Sequence, residues 1–293
     1  KNMDKLILVP KTLSGSFTIP KNVKTIGEYA LSSSQITSVI IPKNVRIIER
    51  DAFSDCSSLA AVEIANGVEE IGYSAFYNCS SLTKISLPKS IKKIGAYAFY
   101  DCISLSDISF AKGIEEIGMF AFYNTPWLYT QKDTFLIINN ILVEYKGYYN
   151  EFNESINIPE NVKKIGETAF YRNSSIKYVN IPDGVIEIGH MAFDSCDNLE
   201  VVNIPHSVVK IGSYAFYDNY ELSVLILPSG ITEIGEYVFG DMKDRIRLYV
   251  EPESVAHEYA LKENIKYSFI DDISLNKEKL SLKKGQSSTL KLD

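Results

Sequence analysis

The segment Val68-Glu69-Glu70-Ile71-Gly72-Tyr73-Ser74-Ala75-Phe76 has close copies along most of the chain. The copies share an apolar first position, an Ile-Gly pair and a closing Ala-Phe (Val-Phe in the last copy), and they lie at 91–99, 114–122, 162–170, 185–193, 208–216 and 231–239. Two looser copies precede them at 23–31 and 45–53. Apart from one gap of 48 residues, the positions of the repeat glycine, which is Glu49 in the copy at 45–53, are spaced by 22 or 23 residues. A fixed period of this length indicates a stack of equivalent coils.

A second motif precedes the first in each period, as in Leu82-Thr83-Lys84-Ile85-Ser86-Leu87-Pro88. Its last three residues before the proline alternate apolar, polar and apolar, which predicts a strand with one buried face. The proline ends this strand and leads into a turn. The Val-x-x-Ile-Gly segment predicts another short extended stretch, and the spacing around Ala-Phe predicts one or two helical turns.

One such coil cannot be stable alone, because its sides would remain wet and its backbone groups unpaired, so neighbouring coils must stack. The period predicts an α/β fold for residues 1–250: a right-handed leucine-rich repeat solenoid of about ten coils. We expect a parallel sheet on one face, short helical turns on the other, and a continuous apolar core between them.

The 48-residue gap predicts one extra, atypical coil within residues 123–158. There, the apolar runs 134–138 and 141–145 are separated by Asn139-Asn140, which indicates a hairpin with a two-residue turn. Residues 6–20 resemble the second half of this coil. Residue 1 is therefore expected to fall inside a hairpin coil of a longer protein.

The recurring pattern Ile-Pro-x-x-Val-x-x-Ile-Gly-x-x-Ala-Phe-x-x-Cys-x-x-Leu resembles the BspA-type leucine-rich repeat family of bacterial surface proteins, over about residues 6–250. The resemblance implies a chain located outside the cell or on the surface of a bacterium. Residues 251–270 resemble the usual ending of the family, a capping helix that begins at Ser254, followed by a strand. Residues 271–293 are similar to the start of a bacterial Ig-like domain, cut off before it can fold. The two ends together suggest a fragment of a larger modular protein.

The composition excludes several classes of partner. The chain has 37 acidic and 30 basic side chains and a net charge of −7, which argues against nucleic acid and anionic membranes. No stretch approaches about 18 consecutive apolar residues, so direct membrane insertion is not expected. We expect a monomeric chain.

The four cysteines share one repeat column, three residues after the repeat phenylalanine: Cys56, Cys79, Cys102 and Cys196. A metal or redox cluster is one interpretation, but no Cys-x-x-Cys pair and no histidine in this column supports it. Small residues packed at an inner turn, with free thiols, are the favoured interpretation. The three histidines occupy different columns and do not predict a catalytic triad. We therefore predict no enzyme activity, no metal and no cofactor.

The residue two positions after the repeat Val or Ile alternates in charge: Glu70, Lys93, Glu116, Lys164, Glu187, Lys210 and Glu233. Stacked coils would bring these residues into a ladder of opposite charges that opposes a slip in register. The extra coil between Glu116 and Lys164 is expected to interrupt this ladder.

Two surfaces are candidate binding sites. The exposed middle of the main strand is mostly small and polar, but near the C-terminus it carries an apolar patch, formed by Tyr178, Val201, Val224 and Ile226. This patch is the first candidate for ligand contact, although single exposed apolar residues are also common. The second candidate is a flank of tyrosines that follow the repeat phenylalanine: Tyr77, Tyr100, Tyr123, Tyr171 and Tyr217. Tyrosines on this flank could instead form a covered aromatic ladder, which we favour.

Three functions fit these patterns. The first is a non-catalytic, adhesin-like binding module that recognises a host or neighbouring-cell protein or a polymeric glycan through an extended face. The second is a structural spacer. The third is an accessory region of a surface enzyme whose catalytic domain lies outside these residues.

Overall fold

The computed structural model describes residues 4–147 and 155–270. The chain forms a solenoid of about eleven coils, as the period predicts. Each full coil has three sides, and each side stacks on the equivalent side of the neighbouring coils. We call them the wide face, the narrow face and the turn face.

The wide face consists of the longer strands, which pair in parallel in sheets of five, three and three strands. Register follows the repeat, so that Ile85 lies opposite Ile108 and Ser86 opposite Ser109. The strands alternate buried and exposed side chains, as in Lys84–Leu87. The strands of this face are Ser14–Thr18, Gln35–Ile41, Ala61–Ile64, Lys84–Leu87, Asp107–Phe110, Ser155–Asn157, Tyr178–Asn180, Val201–Asn203, Val224–Ile226, Arg247–Val250 and Lys266–Phe269.

The narrow face consists of parallel two-residue strands just before the repeat glycine. A Cβ atom on Gly95 would lie 2.6 Å from the carbonyl carbon of Gly72, so the glycine allows adjacent coils to approach closely. The two-residue strands of this face are Lys5–Leu6, Thr25–Ile26, Ile47–Ile48, Glu70–Ile71, Lys93–Ile94, Glu116–Ile117, Lys164–Ile165, Glu187–Ile188, Lys210–Ile211 and Glu233–Ile234. The longer strand Ile141–Tyr145 lies between Glu116–Ile117 and Lys164–Ile165.

The turn face differs from the expected helical turns. The N–H groups of Ser74, Phe76 and Asn78 donate to carbonyls of the following coil at 2.8–2.9 Å, while the N–H groups between them donate three residues back. Ser74 and Asn78 have left-handed φ values of 51° and 53°, and equivalent residues are left-handed from Tyr29 to Tyr237. A left-handed residue every fourth position interrupts an α-helix. The segment therefore forms consecutive turns whose hydrogen bonds run along the stack.

The predicted hairpin coil is present. Strands Phe135–Ile138 and Ile141–Tyr145 pair antiparallel, and Ile138 lies opposite Ile141. Asn139 and Asn140 both have positive φ, which the two-residue turn of a hairpin requires. Before the hairpin, helix α1 (Pro126–Thr130) begins at Thr125, whose hydroxyl accepts a hydrogen bond from the N–H of Leu128.

The core is not continuous, contrary to expectation. One buried cluster ends at Ile141 and the next begins at Leu142, so the break falls inside the hairpin strand. Within each cluster the repeat phenylalanines stack, as Phe76 does on Phe99 with ring centroids 5.3 Å apart. The hairpin strand interrupts this packing because it extends from the narrow face and runs straight where the other coils form their turn face.

The C-terminal end of the solenoid is covered by helix α2 (Val255–Glu263). The hydroxyl of Ser254 accepts a hydrogen bond from the N–H of His257, as expected of an N-cap. The last strand pairs in parallel with Arg247–Val250 and extends the wide face. The predicted Ig-like segment, residues 271–293, lies outside the described residues.

The charge ladder forms on the narrow face. Lys93 contacts Glu116 at 3.3 Å, and Lys210 contacts Glu233 at 3.2 Å and Glu187 at 3.9 Å. At the hairpin coil Ile141 lies opposite Lys164, which is the expected interruption.

The ammonium group of Lys164 nevertheless reaches past the hairpin strand. It contacts Glu187 at 3.1 Å and also donates to the carbonyl of Glu115 at 3.2 Å. A second row, which the sequence analysis overlooked, pairs Lys92 with Glu115 at 2.7 Å, and this contact lowers the pKa of the Glu115 carboxyl.

Candidate functional site

The predicted apolar patch is assembled on the wide face. Tyr178 and Val201 lie directly opposite each other on paired strands, and the strand of Val201 contacts the strand of Val224. Tyr178, Val201 and Val224 are half-buried, and Ile226 is 39% exposed. These residues therefore form one continuous apolar area, two rows wide at its C-terminal end.

Two residues that the sequence analysis did not include extend this patch. Arg247 lies opposite Val224, and Tyr249 lies opposite Ile226. Arg247 is exposed and donates a hydrogen bond to the hydroxyl of Ser268 at 2.9 Å. Their strand follows the last recognisable copy of the motif, so only the observed pairing places them beside the patch.

A ladder of asparagine side chains lies next to the patch. The amide of Asn180 donates to Asn157 at 2.8 Å, and the amide of Asn203 donates to Asn180 at 2.5 Å. At the edge of the patch, the hydroxyl of Tyr178 donates to the carboxylate of Glu200 at 2.9 Å. The wide face thus offers a fixed row of amides beside an apolar strip. The sequence contained a signal for this ladder, because three successive strands carry asparagine in the same repeat column.

The tyrosine flank divides into two parts. Tyr100 stacks between Tyr77 and Tyr123, with ring centroids 5.5 and 5.1 Å apart. Tyr171 instead contacts the edge of Phe120, and Tyr217 contacts Tyr214. The N-terminal tyrosines cover one another, which favours the aromatic ladder over a contact strip for that part of the flank.

A second aromatic row was missed by the sequence analysis. Tyr97 and Phe120 have ring centroids 5.8 Å apart, and Tyr214 stacks on Tyr237 at 5.5 Å. These residues occupy the left-handed column two positions after the repeat glycine. The recurrence of aromatic residues in this column was the available signal.

The cysteine column is structural. All four thiols are free and buried, and each Sγ donates to a carbonyl of the preceding coil, as Cys102 does to Phe76 at 3.1 Å. Burial raises the pKa of Cys102 to about 12. In the same column, the amide of Asn219 makes an equivalent bond to the carbonyl of Phe193 at 2.7 Å. The column therefore supplies a hydrogen-bond donor to the core, and its thiols are too weakly acidic for nucleophilic chemistry at neutral pH.

The histidines do not converge. His190 contacts the ring of Tyr214 edge-on, and His257 belongs to α2, where it contacts Tyr267. Within residues 4–147 and 155–270, no group of three His, Cys, Asp or Glu side chains is arranged to hold a metal ion. No helix in these ranges has the length and apolarity needed to cross a bilayer.

Similar solved structures include bacterial leucine-rich repeat proteins. One, from Bacteroides ovatus, has 21% identity and a TM-score of 0.39, and the alignment covers 91% of this chain and 72% of that one. The pneumococcal vaccine antigen PcpA has 21% identity and a TM-score of 0.41, with 85% and 75% covered. A leucine-rich cell surface protein from Faecalibacterium prausnitzii has 21% identity and a TM-score of 0.32, with 92% and 88% covered.

No curated protein was found to match the sequence. The profile of the BspA type leucine-rich repeat region matches residues 24–133 and 142–265, which is most of the chain. The two matched ranges stop and resume around the hairpin coil, where the structure interrupts the repeat. The chain therefore belongs to the BspA-type leucine-rich repeat family.

Proposed function

We propose that this chain is a non-catalytic binding module, secreted or displayed on a bacterial surface, that recognises a host or neighbouring-cell protein or a polymeric glycan. The observation that carries this proposal is the apolar patch on the wide face. On the strands Lys84–Leu87 and Asp107–Phe110 the equivalent exposed positions carry Lys84, Ser86, Asp107 and Ser109, whereas the patch carries Tyr178, Val201, Val224 and Ile226. The bacterial surface location rests on membership of the BspA-type family.

The composition of the patch favours a broad, shallow contact. Tight interfaces depend on a few aromatic and arginine anchors. Here Tyr178, Tyr249 and Arg247 are such anchors, and the asparagine ladder supplies donors and acceptors beside them. Because the face repeats along the stack, it suits an extended ligand that makes several weak contacts.

The experiment is a binding screen with the isolated chain against matrix proteins, mucins and cell-wall glycans. Replacing Tyr178 and Val224 with serine should weaken binding to any ligand found by about tenfold or more. Ile103→Ser is the matched control, because Ile103 is an exposed apolar residue outside the patch.

Three outcomes would contradict the proposal. Unchanged affinity in the double variant would transfer the site to the tyrosine flank. The absence of binding to the whole panel would favour a structural spacer. A catalytic domain encoded beside these residues in the same gene would favour an accessory region of a surface enzyme. Labelling of intact cells with an antibody tests the location.

A further inference from the structure

A cavity of about 430 Å³ lies at the hairpin coil, on the turn-face side of the solenoid. Its volume is within the range of small-molecule sites, roughly 300–1,000 Å³. It lies where the two core clusters meet, on a different face of the solenoid from the patch. Aromatic and charged side chains both line it, among them Phe120, Tyr123, Tyr129, Glu144, Lys146 and Tyr171.

The cavity exists because one coil lacks its turn face. In a full coil, the N–H of Phe99 donates to the carbonyl of Ala121 in the following coil at 2.8 Å. One period of 23 residues after Ala121 and Phe122, the sequence reaches Glu144 and Tyr145, which would form the turn face of the following coil. These two residues instead belong to the hairpin strand Ile141–Tyr145, which runs straight where other coils turn. The space that a turn would fill is therefore open.

This opening leaves backbone donors without acceptors. Among the described residues, none accepts a hydrogen bond from the N–H of Phe120 or of Phe122, although the equivalent groups of Tyr97 and Phe99 are bonded. The N–H of Met119 is bonded, but to the carboxylate of Glu167 at 2.7 Å. Groups of this kind are costly to leave unpaired when they are buried.

The cavity also holds an acceptor without a donor. Glu144 occupies the column of the small buried alanines, and its Oε2 atom is inaccessible and makes no hydrogen bond among the described residues. The ammonium group of Lys146 does not pair with it, because this group donates to the carbonyls of Leu128 and Gln131. Burial raises the pKa of the Glu144 carboxyl, and Lys146 partly opposes the rise.

Aromatic rings form the walls. Phe120 lies edge-on to Tyr123 and Tyr171, with ring centroids 5.8 and 5.4 Å away. Tyr123 and Tyr129 are both exposed. Rings held in this way present apolar faces to a ligand that enters from solvent.

We propose that this cavity binds a saccharide unit, with its hydroxyl groups pairing with the N–H groups of Phe120 and Phe122 and its C–H face against the aromatic walls. The Glu144 carboxyl, whose Oε2 atom is buried in the cavity wall, turns toward the ligand and accepts a hydrogen bond from a further hydroxyl. A hydroxyl both donates and accepts, so a sugar satisfies the two kinds of unpaired group at once. An organic cation would pair with Glu144 and leave the N–H groups unpaired. An anion would pair with the N–H groups and be repelled by Glu144 and Glu167.

This site is independent of the patch on the wide face, so either can fail without the other. The probe is a mixture of neutral hexoses and N-acetylhexosamines, observed by saturation-transfer NMR with the whole chain. Separate samples contain an alkylammonium salt and a short extended peptide. Binding of one or more sugars, with transfer from aromatic protons of the protein, is expected.

The decisive variant is Glu144→Ala, which restores the alanine of the repeat column and should preserve the fold. It should weaken sugar binding by about tenfold or more while the thermal midpoint stays equal or rises. Tyr171→Ala should also weaken sugar binding. The controls are Glu236→Ala and Tyr220→Ala, an exposed acid and an exposed tyrosine distant in sequence from the cavity, which should bind as the parent does.

Four results would overturn the proposal. They are sugar binding that Glu144→Ala leaves unchanged, binding of the alkylammonium salt alone, binding of the peptide alone, and no signal from any sugar at millimolar concentration. A sugar signal lost equally in the Tyr178 and Val224 double variant would assign the saccharide to the wide face instead.

Discussion

Phe99→Ala tests the stacked core of the solenoid. The Phe99 ring is fully buried and stacks between Phe76 and Phe122, with centroids 5.3 and 5.8 Å apart and rings within 6° of parallel. Truncation of a buried phenylalanine costs about 3–5 kcal/mol. Because two ring contacts are lost here, and each is worth about 0.5–1.5 kcal/mol, we expect a loss near the upper end of that range.

Tyr100→Ala is the matched variant, one residue away. Tyr100 is half-buried and stacks on Tyr77 and Tyr123 outside the core. Its removal leaves no closed cavity, so we expect a loss of about 1–3 kcal/mol from the ring contacts alone. The difference between the two variants isolates the cost of the cavity in the core.

Guanidinium unfolding gives the midpoints, and native-state hydrogen exchange locates the damage. In Phe99→Ala the amides of Phe76 and Phe99 should exchange faster, because they donate to Ala98 and Ala121 across adjacent coils. The amide of Phe193, on the far side of the hairpin coil, should keep its protection. Equal midpoint losses in Phe99→Ala and Tyr100→Ala, or uniform loss of protection along the chain, would refute the stacking argument.

Three further perturbations test other parts of the structure. Glu187→Lys should place three like charges together, those of residue 187, Lys164 and Lys210, and lower the free energy of unfolding by about 1 kcal/mol. This loss should shrink in melting curves recorded at about 1 M salt. A loss that does not depend on salt would exclude the charge ladder as its cause. Cys102, whose pKa is about 12, should resist thiol reagents at neutral pH until the chain unfolds, so labelling of the native protein would contradict its burial. Gly95→Ala should lower the melting temperature, because its Cβ would lie 2.6 Å from the backbone of the preceding coil, and an unchanged melting temperature would mean that the coils can separate there at little cost.

The sequence by itself determined the repeating architecture. The 23-residue period identifies equivalent positions, and the alternation in segments such as Ile85-Ser86-Leu87 separates buried from exposed side chains. It also predicted the hairpin, since Asn139-Asn140 provides two residues that tolerate positive φ. These features follow from local residue types, which act in the same way in each coil.

Only the tertiary structure decided how the turn face is built. Tyr97 and Tyr214 adopt left-handed conformations that are unusual for tyrosine, because hydrogen bonds to the following coil offset the local cost. Neither residue is a glycine, so no single period of the sequence indicates this conformation.

The junction at the hairpin coil was also beyond the sequence pattern. Met119 meets Glu167 across 48 residues, and Lys164 reaches Glu115 across 49. The period describes contacts between one coil and the next, whereas these contacts cross the one coil that departs from it. The period alone would place Glu144 where other coils have a buried alanine. In the assembled solenoid the hairpin strand does not turn at this point, and Glu144 therefore lines a cavity.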